Sequence, residues 1–249
     1  MNGYRKELKY IVGDDVLIDV RNRISGLMRP DSHQKGDHYK IRSIYCDSPT
    51  FRCYRENLSG VSTREKYRIR TYDCDESVVN AEIKIRHRET ISKMSTRIDR
   101  ELFEALISGN PVIAADALNL EIKRRSKGTE QTGTDAGESS GIRTLEKYFA
   151  RFAAENFSPA VIVDYERSAY VYDTCNVRIT FDRNVFASCE FNRMFDKNLT
   201  GRPALDGSRH ILEIKYDEFL PDEIKEVLGG LRLDRTSSSK YAKCLERFK

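Results

Sequence analysis

Two rhythms run through the chain. Where charged and apolar residues trade places at every second position, strands with one ionic and one apolar face are predicted. Where apolar residues recur three and four apart, helices are predicted. The first rhythm marks 4–12, 39–46, 63–72, 78–88, 92–99, 176–184 and 209–216; strands are also predicted at 159–173, continuously apolar at first and ionic at its end, and at 186–195. The second marks 14–29, closed by Pro30, and then 100–107, 114–124, 142–156, 221–228 and 236–248, while 51–57 reads as a short helical or irregular segment. Between them, 124–141 is rich in Gly, Ser and Thr and holds no large apolar residue, which predicts a mobile loop. The ionic alternation resumes after it, so one domain spanning 1–249 is expected.

The ionic faces carry most of the information. Strand 63–72 sets Arg64, Lys66, Arg68 and Arg70 on one side and Tyr67 and Ile69 on the other. Its neighbour adds Glu82, Lys84, Arg86 and Arg88, and the next adds Lys93, Ser95 and Arg97. Like charges in a row are tolerated where water screens them or where a polyanion neutralises them. A solvated sheet face is the plainest account of one such strand, but the pattern recurs. The tripeptide Glu-x-Lys appears at Glu7–Lys9, Glu82–Lys84 and Glu213–Lys215, each time as same-face neighbours.

Composition narrows the partners. With 43 Lys and Arg against 39 Asp and Glu the net charge is only +4, whereas a surface nucleic-acid binder carries a strong basic excess. Tyr67 and Tyr216 fall opposite the charges, leaving no stacking platform on the ionic faces, so no nucleic-acid partner is expected. Six cysteines without a C-x-x-C pair and four histidines without ligand-like spacing suggest no zinc or redox site. The polar N-terminus and the lack of any bilayer-length apolar run predict a cytoplasmic protein with no membrane span. Oligomeric state is not legible.

If the strands close with their ionic faces inward, the lumen gathers Lys9, Arg68, Arg70, Lys84, Arg167, Arg178 and Lys215 with few carboxylates. Unpaired cations in a shielded space are costly and call for a highly charged anion, and polyphosphate groups suit guanidinium forks and lysine point charges. Divalent metal on a triphosphate is held by one or two carboxylates plus phosphate oxygens, which points to Glu213 and, second, Glu7.

The ordered set Tyr4–Tyr10, Ser43–Ser48, Tyr67–Tyr72, Glu82–Lys84, Tyr165–Tyr170, Arg178–Asp182, Leu212–Lys215 and Ser239–Lys243 spans nearly the whole chain. It resembles the triphosphate tunnel metalloenzymes of the CYTH-like superfamily. Within them it is most similar to the VTC polyphosphate polymerase domain of the vacuolar transporter chaperone complex and its bacterial relatives. The resemblance implies an α+β fold: a closed antiparallel β-barrel of about eight strands, a tunnel, with flanking helices and a C-terminal plug helix. It implies catalytic roles for Arg68, Arg70, Lys84, Arg178 and Lys215. Phosphate binding is implied for Lys9, Arg167, Lys240 and Lys243, with Lys93 or Arg97 as a further contact, and Glu213, with Glu7, for a divalent Mn or Mg. The expected substrates are ATP and polyphosphate or triphosphate, in a phosphotransfer that builds polyphosphate. A triphosphatase of the same fold, with Glu7 or Glu82 orienting water, and a non-catalytic polyphosphate binder are the alternatives. Arg5 stands where hydrolytic and cyclase branches have the first Glu of Glu-x-Glu-x-Lys, which favours the polymerase-like branch. The SPX domain and membrane segment of the eukaryotic complex are not seen here, so transport coupled to synthesis is not expected of this chain alone.

Overall fold

The computed structural model describes residues 5–249 except 89, 133–135, 232, 234 and 238, with only the backbone of 129–132; Tyr4 lies outside the described residues. In chain order the elements are β1 (Lys6–Val12), α1 (Asp14–Ile24), β2 (Arg29–Pro30), β3 (Tyr39–Asp47), α2 (Arg52–Leu58), β4 (Thr63–Tyr72), β5 (Val79–His87) and β6 (Thr90–Ile98). Helices α3 (Arg100–Ile107), α4 (Pro111–Thr132) and α5 (Ala136–Glu155) follow. Then come β7 (Ser158–Tyr172), β8 (Val177–Ser188), β9 (Arg202–Pro203), β10 (His210–Tyr216), α6 (Asp222–Leu228) and α7 (Lys240–Leu245).

All strands join one antiparallel sheet ordered β1-β10-β8-β7-β3-β4-β5-β6, with β2 on β7 and β9 on β8. Alternation gives this sheet two unlike faces. On the helix-covered face, Ile44, Tyr67, Ile69, Ala81, Ile83 and Ile162 are buried with Leu145, Tyr148 and Phe152 of α5. The Tyr67 ring stands edge-on to Tyr148 and Phe157 at 5.2 and 5.4 Å. The Tyr148 hydroxyl also donates to the carbonyls of Arg68 and Glu82, fastening α5 across the β4–β5 ladder. A second cluster buries Leu17, Val20 and Ile24 of α1 and Ile224 of α6 against Ile179, Phe181, Leu212 and Ile214. The opposite face of the sheet carries the charges.

Three expectations change. The sheet is not closed by hydrogen bonds. Among the described residues, its end strands meet through one isolated bridge, Arg5↔Ile91, and the gap is spanned instead by the Lys84–Glu7 ion pair at 3.2 Å. Second, 124–141 is helical over its described residues rather than a mobile loop. Pro111 opens α4, with Asn110 Oδ1 accepting from the Val112 amide, and Glu121–Arg125 supports the helix at 2.6 Å. Arg125 donates to Thr96 on β6. Gly141, which read as loop, serves packing, since a side chain there would meet Thr96 Oγ1 at 2.8 Å. Third, no separate strand covers 186–195. Strand β8 ends at Ser188 and a 3-10 turn occupies Phe191–Arg193. The buried Arg42 guanidinium, paired with Asp164, takes the carbonyls of Met194 and Asp196 at 2.8 Å each and holds that segment off the ladder.

Candidate functional site

The charged face wraps a cavity of about 520 Å³. Side chains from the eight strands of the main order converge on it: Glu7 and Lys9 from β1, Tyr45 from β3, Lys66, Arg68 and Arg70 from β4, and Lys84 from β5. Lys93 comes from β6, Tyr165 and Arg167 from β7, Arg178 from β8, and Glu213 and Lys215 from β10, so that all eight contribute. Ser239 and Lys240, at the start of α7, complete the wall, which puts the C-terminal helix where a plug was expected.

Most of the expected cations are therefore together: Lys9, Arg68, Arg70, Lys84, Lys93, Arg167, Arg178, Lys215 and Lys240. Two are not. Arg97 lies four residues along β6 from Lys93, opposite Asn80, and its guanidinium turns to the Ser77 carbonyl in a shallow cavity with Arg100 and Arg124. Lys243 sits one turn along α7 from Lys240 and lines a different cavity, with Asp206, Arg209 and Arg247. Of the alternatives Lys93 and Arg97, only Lys93 reaches the central cavity.

Among the described residues twelve cationic side chains line this cavity, since Arg5, Lys6 and Lys66 join the nine. The carboxylates paired with them number six among the described residues: Glu7, Asp31, Glu82, Asp182, Glu213 and Asp217. Arg68 holds Glu82 through two nitrogens, at 2.8 and 2.6 Å, and Lys93 takes the other oxygen of Glu82 at 3.1 Å. Arg167 grips Asp182 through two bonds of 2.6 and 2.7 Å, and Lys240 bonds both Asp182 and Glu213. Arg70 is more loosely held, donating to Ser43 Oγ at 3.0 Å with Glu82 3.7 Å away.

These pairings set the titration behaviour. Burial raises the carboxyl of Glu213, but Lys240, Lys9, Lys215 and Arg167 outweigh it and hold it well below the usual carboxylate range. Glu7 behaves likewise, burial being overcome by Lys84 and Lys9, and so does Glu82, overcome by Arg68, Arg70 and Lys93. On the basic side, burial would lower Lys240, yet Asp182 and Glu213 raise it. Burial dominates at Lys84, which falls to about 7 because Glu7 offsets it only in part, and at Lys66, pushed well down by burial and then by Lys84 and Lys9.

Sequence reasoning placed Lys66 on the cationic strand but gave it no role. It named Glu7, Glu82 and Glu213 but gave no role to Asp31, Asp182 and Asp217, which also pair with the cations. The signal for Asp182 was present, since 178, 180 and 182 share a face. Aromatic rings also belong to this face. Tyr45 and Tyr165 are buried beneath Arg68, Arg167 and Lys240, which lie 5.9, 5.3 and 5.0 Å from the ring centres, so the rings support cations.

The carboxylates fit a hard divalent ion in a limited way. Glu7 and Glu213 are both reached by Lys9, at 2.7 and 3.4 Å, and by Lys215, at 3.8 and 3.2 Å. Among the described residues no group of three or more His, Cys, Asp or Glu could hold a metal by itself. An ion held by this pair would need further oxygens from a ligand or water, as magnesium ordinarily does. No helix among the described residues is long and apolar enough to cross a membrane.

Residues 4–249 match the profile of the VTC domain. That span is nearly the full chain, and the chain belongs to the VTC domain family. No curated protein matches it. Solved structures similar to it include a Bacillus halodurans protein provisionally named an adenylate cyclase, 12% identical, with 96% of each chain covered and a TM-score of 0.46. The PH1012 protein of Pyrococcus horikoshii OT3 is 12% identical, with 97% of this chain and 98% of that one covered and a TM-score of 0.45. A Vibrio parahaemolyticus protein, also provisionally named an adenylate cyclase, is 10% identical over 91% of this chain and 83% of that one, at a TM-score of 0.43.

Proposed function

We propose that this member of the VTC domain family is a polyphosphate polymerase that transfers the γ-phosphoryl group of ATP to the end of a growing polyphosphate chain within its cationic cavity. The carrying observation is the twofold excess of cations over paired carboxylates around one cavity of about 520 Å³. Such a charge imbalance is relieved by a ligand that brings several negative charges in a row.

In this reading a terminal oxygen of the polyphosphate forms a new bond to the γ-phosphorus. The bond from that phosphorus to the β–γ bridging oxygen breaks, and ADP leaves with the electron pair. The attacking oxygen is already anionic, so no proton has to be removed, and catalysis reduces to alignment and charge neutralisation. Arg68, Arg70, Lys84, Arg178 and Lys215 neutralise the transferring group, while Lys9, Lys93, Arg167 and Lys240 hold the phosphates on either side. Glu213 and Glu7 would hold the divalent ion, which supplies further charge neutralisation on phosphate oxygens when bound.

The same electrostatics speak against water as acceptor. Glu7, Glu82 and Glu213 are all held below the ordinary carboxylate range by surrounding cations, and a general base works best with a pKa near the operating pH. Glu82, moreover, has both oxygens occupied by Arg68 and Lys93.

Incubation with ATP and Mn or Mg, followed by gel separation, tests this directly. A ladder of polyphosphate is expected, and it should be lost in Glu213→Gln while that variant still binds ATP. Free phosphate alone would make the protein a triphosphatase. Tight phosphate-chain binding without turnover at either metal would make it a binding module.

A further inference from the structure

The register of the β4–β5 ladder changes character along its length. Near its middle, Arg68 lies opposite Glu82, a complementary pair joined by two hydrogen bonds. The next same-face pair is Lys66 opposite Lys84, and the next is Arg64 opposite Arg86. Directly opposed like charges destabilise a sheet, yet here two successive pairs are built into one face.

No ion pair neutralises the outer pair among the described residues, and the Glu56 carboxylate offsets Arg64 only in part. Arg64 donates to the Val61 carbonyl at 2.7 Å and Arg86 to the Arg88 carbonyl at 2.8 Å, and neither has a carboxylate partner among the described residues. Burial and the neighbouring Arg86 lower Arg64 from its ordinary value, as expected of a cation facing a cation. Among the described residues Lys66 likewise bonds neutral oxygens, Asn57 Oδ1 at 2.7 Å and Ser239 Oγ at 2.6 Å.

These four cations are not scattered over open surface. They line a narrow second cavity of about 30 Å³ that shares Glu7, Lys9, Lys66, Lys84 and Ser239 with the central one, and Arg64 and Arg86 lie beyond the shared residues. The cationic track therefore continues out of the central cavity along one strand pair, with same-face residues spaced roughly 6.5 to 7 Å apart.

We propose that Arg64 and Arg86 form an outer phosphate subsite that engages linear polyphosphate chains too long for the central cavity, with Lys66 and Lys84 as the link. The proposal rests on the reading of the central cavity as a phosphate-chain site. It assigns to the outer arginines selection for chain length rather than chemistry at the transferring group.

The test is binding of inorganic polyphosphates of defined length, from tripolyphosphate to chains of tens of units, to the whole protein and to an Arg64→Gln/Arg86→Gln variant. The wild type should bind the long chains about tenfold or more tightly, counted per chain end, than tripolyphosphate. The variant should lose that gain and keep its tripolyphosphate affinity within twofold, and an Arg64→Lys/Arg86→Lys variant should recover most of the gain. Retained tripolyphosphate binding also shows that the variant is folded. Equal affinity for short and long chains in the wild type, or an undiminished preference in the Gln variant, overturns the subsite while leaving the central site standing. Absence of tripolyphosphate binding by the wild type overturns the central reading and the subsite with it. Tighter binding of a single-stranded oligonucleotide than of a polyphosphate of equal charge overturns the assignment to polyphosphate.

Discussion

Two walls of the central cavity handle positive charge in opposite ways. Along β7, β8, β10 and α7, every cation of the Arg167, Lys215 and Lys240 group faces a carboxylate, and Asp182 and Glu213 are shared hubs. Along the outer half of β4 and β5, and among the described residues, Lys66 hydrogen-bonds neutral oxygens and Lys84 forms its ion pair with Glu7 at 3.2 Å, Glu213 acting on it from farther off. The paired wall is preorganised, because its side chains are already fixed in bidentate or shared geometry before any ligand arrives. The unpaired wall stores repulsion that, under the proposed function, an incoming phosphate chain would relieve. One wall gives the site its shape, and the other gives it affinity for anions.

Breaking the paired wall should have the largest effect. Asp182 is fully buried and faces two cations, so Asp182→Asn leaves Arg167 and Lys240 short of a counter-charge. Removing one partner of a buried ion pair costs about 3 to 5 kcal/mol. Denaturant unfolding without ligand should show a loss of that size, partly restored by tripolyphosphate. A loss below about 1 kcal/mol would remove the contrast between the walls.

The unpaired wall should respond in binding instead. Lys84→Met is expected to weaken tripolyphosphate about tenfold near pH 6.5 while leaving unfolding stability level or slightly higher. Its sign with pH follows from its depressed value. Lys84 titrates near 7 in the fold against an ordinary 10.5, so it is charged below 7 and increasingly neutral above. The unliganded protein binds fewer protons than the unfolded chain between 7 and 10.5, and this group's contribution to stability rises with pH over that span. Phosphate affinity should fall over the same span, because the ligand prefers the protonated amine. Calorimetric titration from pH 6 to 8.5 should show that fall in the wild type and a nearly flat profile in Lys84→Arg. A flat wild-type profile would mean that Lys84 contributes no charge to the ligand.

The smallest effect sharpens the boundary of the site. Arg97→Gln and Lys243→Gln remove cations that lie outside the central cavity, and tripolyphosphate affinity should change by less than twofold in each. A tenfold loss from either would extend the site beyond the wall described above.

How much of this was legible beforehand differs between elements and site. The limits of β4 and α3 coincide with the alternation and the helical spacing, since both patterns are local and depend on which face meets the core. Helix α4 was underestimated because Gly, Ser and Thr lower intrinsic propensity, and the contacts that overrule it, such as Arg125 on Thr96, come from a distant strand. The cationic faces were visible because alternation assigns each residue a side, and nine expected cations share one cavity as a result. Arg97 and Lys243 carry the right charge on suitable elements. Where their side chains end depends on how far along β6 and around α7 the cavity reaches.

The order of charged and apolar residues by itself determined that the strands have one ionic face, that the cations fall on it, and that Glu-x-Lys recurs there, because side-chain direction along a strand follows from backbone stereochemistry. The tertiary structure alone decided which carboxylates neutralise which cations, that the end strands meet at one bridge without a closed ladder, and that Lys66 and Lys84 are left facing each other. Those outcomes depend on register between segments far apart in the chain, and a shift of one residue in register would have turned every charge to the other face.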